Sequence, residues 1–332
     1  MKSLAIIGGG SWGTALSIVL APRFSDVRLW VYEPDLAIRM ADSRQNDVYL
    51  PGLTVPPSVR IVNELGAALD GAEIVLSVMP SHLVREIYRQ MGPFLSPRMI
   101  FVSATKGLEN GTLLRSSEII QDVVSGRFPA QVAVLSGPTF AREVASLNST
   151  ALVVASEDEE LNRCVQRLFS SSTFRLYTSV DPLGVEIGGS VKNVVAIGAG
   201  VLEGMGLGHN PLAALITRGL AEMTRLALAL GAKVQTLSGL AGLGDLVLTC
   251  TGELSRNRTV GIELARGRKL DEIVGSMKMV AEGIKTANAA LELAGRHGVE
   301  MPITEMMHQI IHGGMDPREA VRRLMERSLK GE

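Results

Sequence analysis

The N-terminal run Ser3-Leu4-Ala5-Ile6-Ile7-Gly8-Gly9-Gly10-Ser11-Trp12-Gly13 constrains the fold more than any other stretch of the chain. A short apolar segment breaks directly into glycines, and a helix-forming segment from Trp12 to Leu20 follows at once. The glycines satisfy the spacing G-x-G-x-x-G in the strand, turn, helix context that a dinucleotide fingerprint requires. There, Gly8 permits a tight turn, Gly10 leaves room for a phosphate, and Gly13 lets helix and strand pack closely. The free N–H groups of the helix N-terminus attract the pyrophosphate charge. An ordinary glycine turn carries the same letters, but its place between first strand and first helix favours the dinucleotide.

That turn opens a β-α-β-α series. Apolar runs at Ser3 to Ile7, Val27 to Val31, Glu73 to Val78, Met99 to Ser103 and Gln131 to Leu135 lack polar alternation, as parallel strands buried on both faces do. Helical segments at Trp12 to Leu20, Asp35 to Ala41 and His82 to Met91 separate them. Runs at Ala151 to Ala155 and Phe174 to Thr178 flank a helical stretch, Asp158 to Phe169, and extend the sheet. From Leu183 onward only helical patterns remain. The expectation is an α/β protein: an N-terminal Rossmann-type doubly wound sheet over residues 1–181 and an all-helical C-terminal domain over 182–332. A length of 332 residues, 46% of them hydrophobic, suits two cores.

Charge and composition exclude several classes. With 33 Lys+Arg against 34 Asp+Glu the net charge is −1, without the basic excess of a nucleic-acid binder. Leu4 to Ile7 are too few for a signal-peptide core. Lys192, Glu203, Arg218, Glu222 and Arg225 interrupt the most apolar region, so no membrane insertion is expected. The only cysteines, Cys164 and Cys250, have no metal-ligand spacing and fit a reducing compartment, the cytoplasm. Glu305, His308 and His312 share a helical face but lack H-E-x-x-H, which favours a polar face over a metal.

Several polar residues fall where ligands of open α/β folds bind. Glu33, twenty residues past Gly13, can take an adenosine ribose or simply cap a helix. Met79-Pro80-Ser81, after the third strand, sits where a crossover loop would face the cofactor, but carries only structural weight. Lys106, after a buried strand, is either an anion contact or a surface lysine in a glycine turn. Gly137 and Thr139 sit in another strand-end turn, where Thr139 can hydrogen-bond or cap a helix. Lys192 lies among small and apolar residues; burial there would lower its pKa and suit proton transfer, unless its stem snorkels to water. Asp245, Thr249, Ser255, Arg256, Asn257 and Arg258 supply an acid, hydroxyls, an amide and guanidinium forks that match phosphate oxygens. Cys250 reads as packing.

Together these residues resemble the bacterial NAD(P)-dependent glycerol-3-phosphate dehydrogenase family over nearly the whole chain. The resemblance is carried by Gly8 to Leu16, Tyr49-Leu50-Pro51-Gly52, Ala104 to Glu109, Ser136 to Ala141, Val191-Lys192-Asn193, Glu203 to Asn210, Leu243 to Leu246 and Ser255 to Arg258. It implies reversible reduction of dihydroxyacetone phosphate to sn-glycerol 3-phosphate for glycerophospholipid synthesis, by a cytoplasmic homodimer. It implies Lys192 as proton donor and acceptor, with Lys106, Gly137, Thr139, Asp245, Ser255, Arg256 and Asn257 around the substrate. For NAD or NADP it implies Gly8, Gly10, Ser11, Trp12, Gly13, Tyr32, Lys106, Ala141, Arg256, Val280 and Glu282. Tyr32 stands where NADP-preferring members have a basic residue or histidine, so NADH use is expected over strict NADPH dependence. Ser190 replaces the more usual alanine. Rival readings are a β-hydroxyacid or phosphogluconate dehydrogenase, set apart by Ser255-Arg256-Asn257, and a non-catalytic nicotinamide sensor, disfavoured by Lys192.

Overall fold

The computed structural model describes residues 2–277 and 279–329, so the last three residues of the expected helical domain lie outside the described residues. Ten strands follow in chain order: β1 (Ser3–Ile7), β2 (Asp26–Trp30), β3 (Gln45–Asn46), β4 (Leu50–Thr54), β5 (Val59–Val62), β6 (Ile74–Ser77), β7 (Ile100–Ser103), β8 (Gln131–Ser136), β9 (Thr150–Ala155) and β10 (Phe174–Ser179). Eight form one sheet in the order β10-β9-β8-β7-β6-β1-β2-β5. Strand residues alternate between two cores although both sets are apolar. In β1, Leu4 and Ile6 pack with Leu16 and Leu20 on one face, while Ala5 and Ile7 pack with Tyr88 and Phe101 on the other. That explains the missing polar alternation. The chain runs outward from β1 through β2 to β5, then returns to the opposite side of β1 for β6. The reversal leaves a crevice at the carboxyl ends of β1 and β6, where open α/β sheets bind ligands.

The strand runs read from sequence fall on β1, β2, β6, β7, β8, β9 and β10, with one correction of direction. β8 and β9 are antiparallel, pairing Val134 with Ala155 and Ser136 with Val153. An apolar strand records burial on both faces and not direction; here the chain folds back after Gly137 and the short helix Ala141–Ala145. The helix expected from His82 begins at Val84, preceded by a 3-10 turn, Ser81–Leu83. β3 and β4 form a small separate sheet that two to five largely exposed residues could not announce.

After β10 the described residues are helical wherever they are regular. The long helix Pro182–Gly204 is buried from Gly184 through Leu202 and forms the spine of the C-terminal core. Pro182 opens it, and the Asp181 carboxylate accepts from Gly184 N–H at 2.9 Å, capping it. By length and composition this is the one helix among the described residues that could cross a bilayer, and its apolar window is wholly packed inside the protein.

The glycine turn behaves as its spacing requires. A Cβ on Gly13 would lie 1.8 Å from Gly8 O, and Gly8 itself has φ +126°. Gly10 has no atom within 4 Å of where a Cβ would stand, leaving its outer side open. Gly13→Ala is therefore expected to cost roughly 1–3 kcal/mol by overpacking and to weaken dinucleotide affinity, measured by urea unfolding and by NADH fluorescence titration.

Candidate functional site

A cleft of about 630 Å³ runs from the glycine turn to the face of the long helix. Its nucleotide end is lined by Gly8, Gly9, Gly10, Ser11 and Trp12, with Tyr32, Glu33 and Tyr49 at the rim. Tyr32 is 68% exposed. Glu33 occupies the N-cap position of helix Pro34–Ser43 but makes no side-chain cap bond; its Oε1 accepts from the Tyr49 hydroxyl at 2.7 Å. The open flank of Gly10 and the helix N-terminus behind it fit a pyrophosphate.

At the other end, two ammonium groups share one carboxylate. Lys192 Nζ donates to Asp245 Oδ1 at 2.6 Å and to Thr249 Oγ1 at 2.6 Å. Lys106 Nζ donates to Asp245 Oδ2 at 2.6 Å and to Gly137 O at 3.2 Å. The Asp245 and Lys192 side chains are 1% and 6% exposed, and that of Lys106 is 19% exposed. Each arrives from a different element: Lys106 from the turn after β7, Lys192 from the long helix, and Asp245 from the start of helix Asp245–Thr251. A π-helical turn, Leu240–Gly244, precedes Asp245, a distortion common where a side chain must be re-aimed at a functional site. Burial drives the Lys192 pKa down to about 8, Asp245 opposes that shift, and the Lys106 charge adds to it.

Neighbouring contacts fix this group. Gly107, at φ +129°, donates its N–H to Ser190 Oγ at 3.0 Å, seating the Lys106 turn on the helix that carries Lys192. Asn193 Oδ1 accepts from Asn257 Nδ2 at 3.0 Å, and Asn257 Oδ1 accepts from Gly283 N–H at 2.9 Å. Glu282 accepts from the Ser81 hydroxyl at 2.8 Å, joining the loop after β6 to helix Glu282–Arg296. Burial pushes the Glu282 carboxyl above its usual range. Arg256 reaches solvent at the cleft mouth, where its Nη1 donates to Val280 O at 2.9 Å.

Comparison with known proteins accords with this geometry. Residues 3–162 match the model of the NAD-dependent glycerol-3-phosphate dehydrogenase N-terminus, and residues 181–322 match that of its C-terminus. The chain belongs to the NAD-dependent glycerol-3-phosphate dehydrogenase family. It is 56% identical over 329 residues to glycerol-3-phosphate dehydrogenase [NAD(P)+] of Koribacter versatilis, covering 98% of each chain. It is 52% identical to the like-named protein of Syntrophotalea carbinolica, covering 99% of each. The crystal structure of glycerol-3-phosphate dehydrogenase from Coxiella burnetii superposes with a TM-score of 0.93 at 41% identity, over 98% of this chain and 99% of that one.

Most residues singled out from the sequence meet in the cleft. Gly8, Gly10, Ser11, Trp12, Tyr32, Lys106, Thr139, Ala141, Lys192, Asp245, Ser255, Arg256, Asn257, Val280 and Glu282 all line it. Gly13 and Gly137 do not; Gly13 serves close packing, and Gly137 offers its carbonyl to Lys106. Arg258 turns away to pair with Glu203, so the second guanidinium expected near phosphate is absent from the wall. Thr139 caps no helix and donates to Gly137 O at 3.2 Å. Thr249 is the second partner of Lys192, while Asn193 pairs with Asn257. The Lys192 ammonium is buried and paired, which rules out snorkelling, and Lys106 is no free surface lysine. Cys250 is buried, its thiol pushed up to about 12 by desolvation, as a packing residue. His308 and His312 contact each other with ring centroids 5.1 Å apart, and His312 Nε2 lies 3.2 Å from Ile284 O.

Sequence reasoning passed over Asn46, gave Ser81 only structural weight, and named Tyr49 only within a resemblance motif without a role. Asn46 lies in the two-residue strand β3, Tyr49 between β3 and β4, and Ser81 in the loop after β6, and none carries a charge to draw attention. Direct titration of Lys192, labelled by reductive ¹³C-methylation, is expected to show a midpoint near 8. Because Asp245 favours the charged form, Asp245→Asn should move that midpoint lower.

Proposed function

We infer that the protein is an NAD(P)-dependent sn-glycerol-3-phosphate dehydrogenase, reducing dihydroxyacetone phosphate reversibly at C2. The observation that carries this reading is the array of Lys106, Asp245 and Lys192 opening onto the cleft that holds the glycine turn. When bound, the nicotinamide cofactor supplies or takes the hydride. The chain's own work is to bind an anionic substrate, place its carbonyl and move one proton.

Lys192 is proposed as the proton donor in reduction and the acceptor in oxidation. As negative charge grows on the C2 oxygen, its ammonium both stabilises that charge and delivers the proton. A pKa of about 8 leaves either protonation state accessible near neutrality. Once Lys192 has given up its proton, Lys106 still neutralises Asp245, so the buried carboxylate keeps a counter-charge in both states of the cycle. Thr249 holds Lys192 on axis throughout. Lys106, Gly137, Thr139, Ser255, Arg256 and Asn257 are proposed around the substrate, with Arg256 as the cation for its phosphate. Gly8, Gly10, Ser11, Trp12, Gly13, Tyr32, Ala141, Val280 and Glu282 are proposed around the cofactor, together with Lys106 and Arg256.

On this reading the chain divides at Asp181-Pro182 into a dinucleotide half and a helical half. Family resemblance supports work as a cytoplasmic homodimer that supplies glycerol phosphate for glycerophospholipid synthesis. The test follows loss of dihydronicotinamide absorbance when purified protein meets dihydroxyacetone phosphate. Turnover supports the reading, and its absence in folded, cofactor-bound protein overturns it. Lys192→Met keeps most of the side-chain length without a titratable group. It should lower kcat by roughly 10²–10⁴, the range for general acid–base catalysis, while NADH affinity holds. A near-normal kcat would remove Lys192 from the proton path.

A further inference from the structure

We propose that Tyr49 is a positioning residue that sets cofactor choice: its hydroxyl pins the Glu33 carboxylate at the nucleotide end of the cleft, where it accepts a ribose 2′-hydroxyl and repels a 2′-phosphate. The proposal rests on the reading that a dinucleotide occupies this cleft, and it concerns a motif, Tyr49-Leu50-Pro51-Gly52, that the catalytic account leaves unused.

The flap carrying Tyr49 is tied to the glycine turn by a buried amide. Asn46, with no exposed surface, donates through Nδ2 to Gly9 O at 2.8 Å and to Thr14 Oγ1 at 2.9 Å. Its Oδ1 accepts from Tyr49 N–H at 2.9 Å. A buried amide with both ends engaged fixes the segments that it bridges, because releasing any of them strands a polar group. Leu50 packs with Ala15 and Ala145, and Arg142 Nη2 donates to Pro51 O at 2.9 Å from the far side. Tyr49 is thereby held at a set distance from the turn that receives the pyrophosphate.

From that position the Tyr49 hydroxyl reaches Glu33 Oε1 at 2.7 Å. The carboxylate and burial push the phenol up to about 12, so it stays a donor at neutral pH. Among the described residues no group is bonded to Oε2, which leaves one carboxylate oxygen of a cleft-lining residue without a protein donor. An unpinned glutamate can swing on its flexible stem to make way for a phosphate, whereas one held by a charge-assisted hydrogen bond cannot. The neighbouring Tyr32 is neutral and brings no cation to offset the repulsion.

The experiment measures kcat/KM for NADH and NADPH, and Kd for each by fluorescence titration, in the purified full chain and in Tyr49→Phe, with Glu33→Gln as a second variant. Wild type should prefer NADH. Tyr49→Phe should cut the NADH-to-NADPH ratio roughly ten- to hundredfold, as loss of a hydrogen bond to a charged group does, with the loss falling on KM for NADH rather than on kcat. Glu33→Gln should move the ratio the same way without needing Tyr49. An unchanged ratio in Tyr49→Phe, even with both affinities reduced together, would overturn the proposal by showing a flap that is only structural. A wild-type preference for NADPH would overturn it as well. Failure of the wild type to bind either nucleotide would instead contradict the functional reading beneath it.

Discussion

One carboxylate, Asp245, accepts from two ammonium groups that come from opposite halves of the chain, at 2.6 Å each, in a setting almost free of solvent. Burying a charge is costly unless it is paired, and removing one partner of a buried pair costs about 3–5 kcal/mol. Here the pairing is also asymmetric. Lys106 retains some exposure and stands toward the cleft, while Lys192 is enclosed and has a proton affinity lowered mainly by burial. The same enclosure that lowers the proton affinity of Lys192 would make a lone Asp245 costly, and Lys106 supplies it with a second counter-charge.

The rest of the structure can be understood as holding those three side chains in register across the cleft. The Ser190 hydroxyl accepts from the Gly107 N–H and donates to the Glu186 backbone carbonyl at 2.7 Å, so the Lys106 turn rests on the spine helix. Asn193, one residue past Lys192, is locked to Asn257 and through it to Gly283. The Ser81 hydroxyl reaches Glu282 across the cleft. These are short polar links between elements whose apolar faces already pack: Gly107–Ser190 and Ser81–Glu282 each join a loop at the sheet's edge to the helical half, and Asn193–Asn257–Gly283 ties three helices of that half together. The result is a site built on helix faces and strand ends, where positions are set more tightly than on loops.

The sheet and the spine helix were readable because apolar pattern and glycine spacing encode them directly. β1, the glycine turn and helix Ser11–Leu20 follow from one continuous run of letters. Lys192 stood out because a lysine amid Gly188, Gly189, Val191 and Val194 is costly to bury unpaired, with snorkelling as the alternative. What pattern could not supply was direction and partnership. The antiparallel β8–β9 pair has the same composition as its parallel neighbours. The aim of Arg258 away from the cleft, the bond from Lys192 to Thr249, and the link from Tyr49 to Glu33 all depend on contacts between distant segments. Residue type alone made each of those side chains equally eligible.

The central claim is that a single buried lysine, tuned by burial and a shared carboxylate, carries the proton in both directions. The most direct measurement is the pH dependence of the chemical step under single-turnover conditions, which separate it from binding and release. It should be run for reduction of dihydroxyacetone phosphate and for oxidation of sn-glycerol 3-phosphate. Reduction needs Lys192 charged and should fall as pH rises through about 8; oxidation needs it neutral and should rise through the same point. Profiles that are flat there, or that move in the same sense in both directions, would contradict the account.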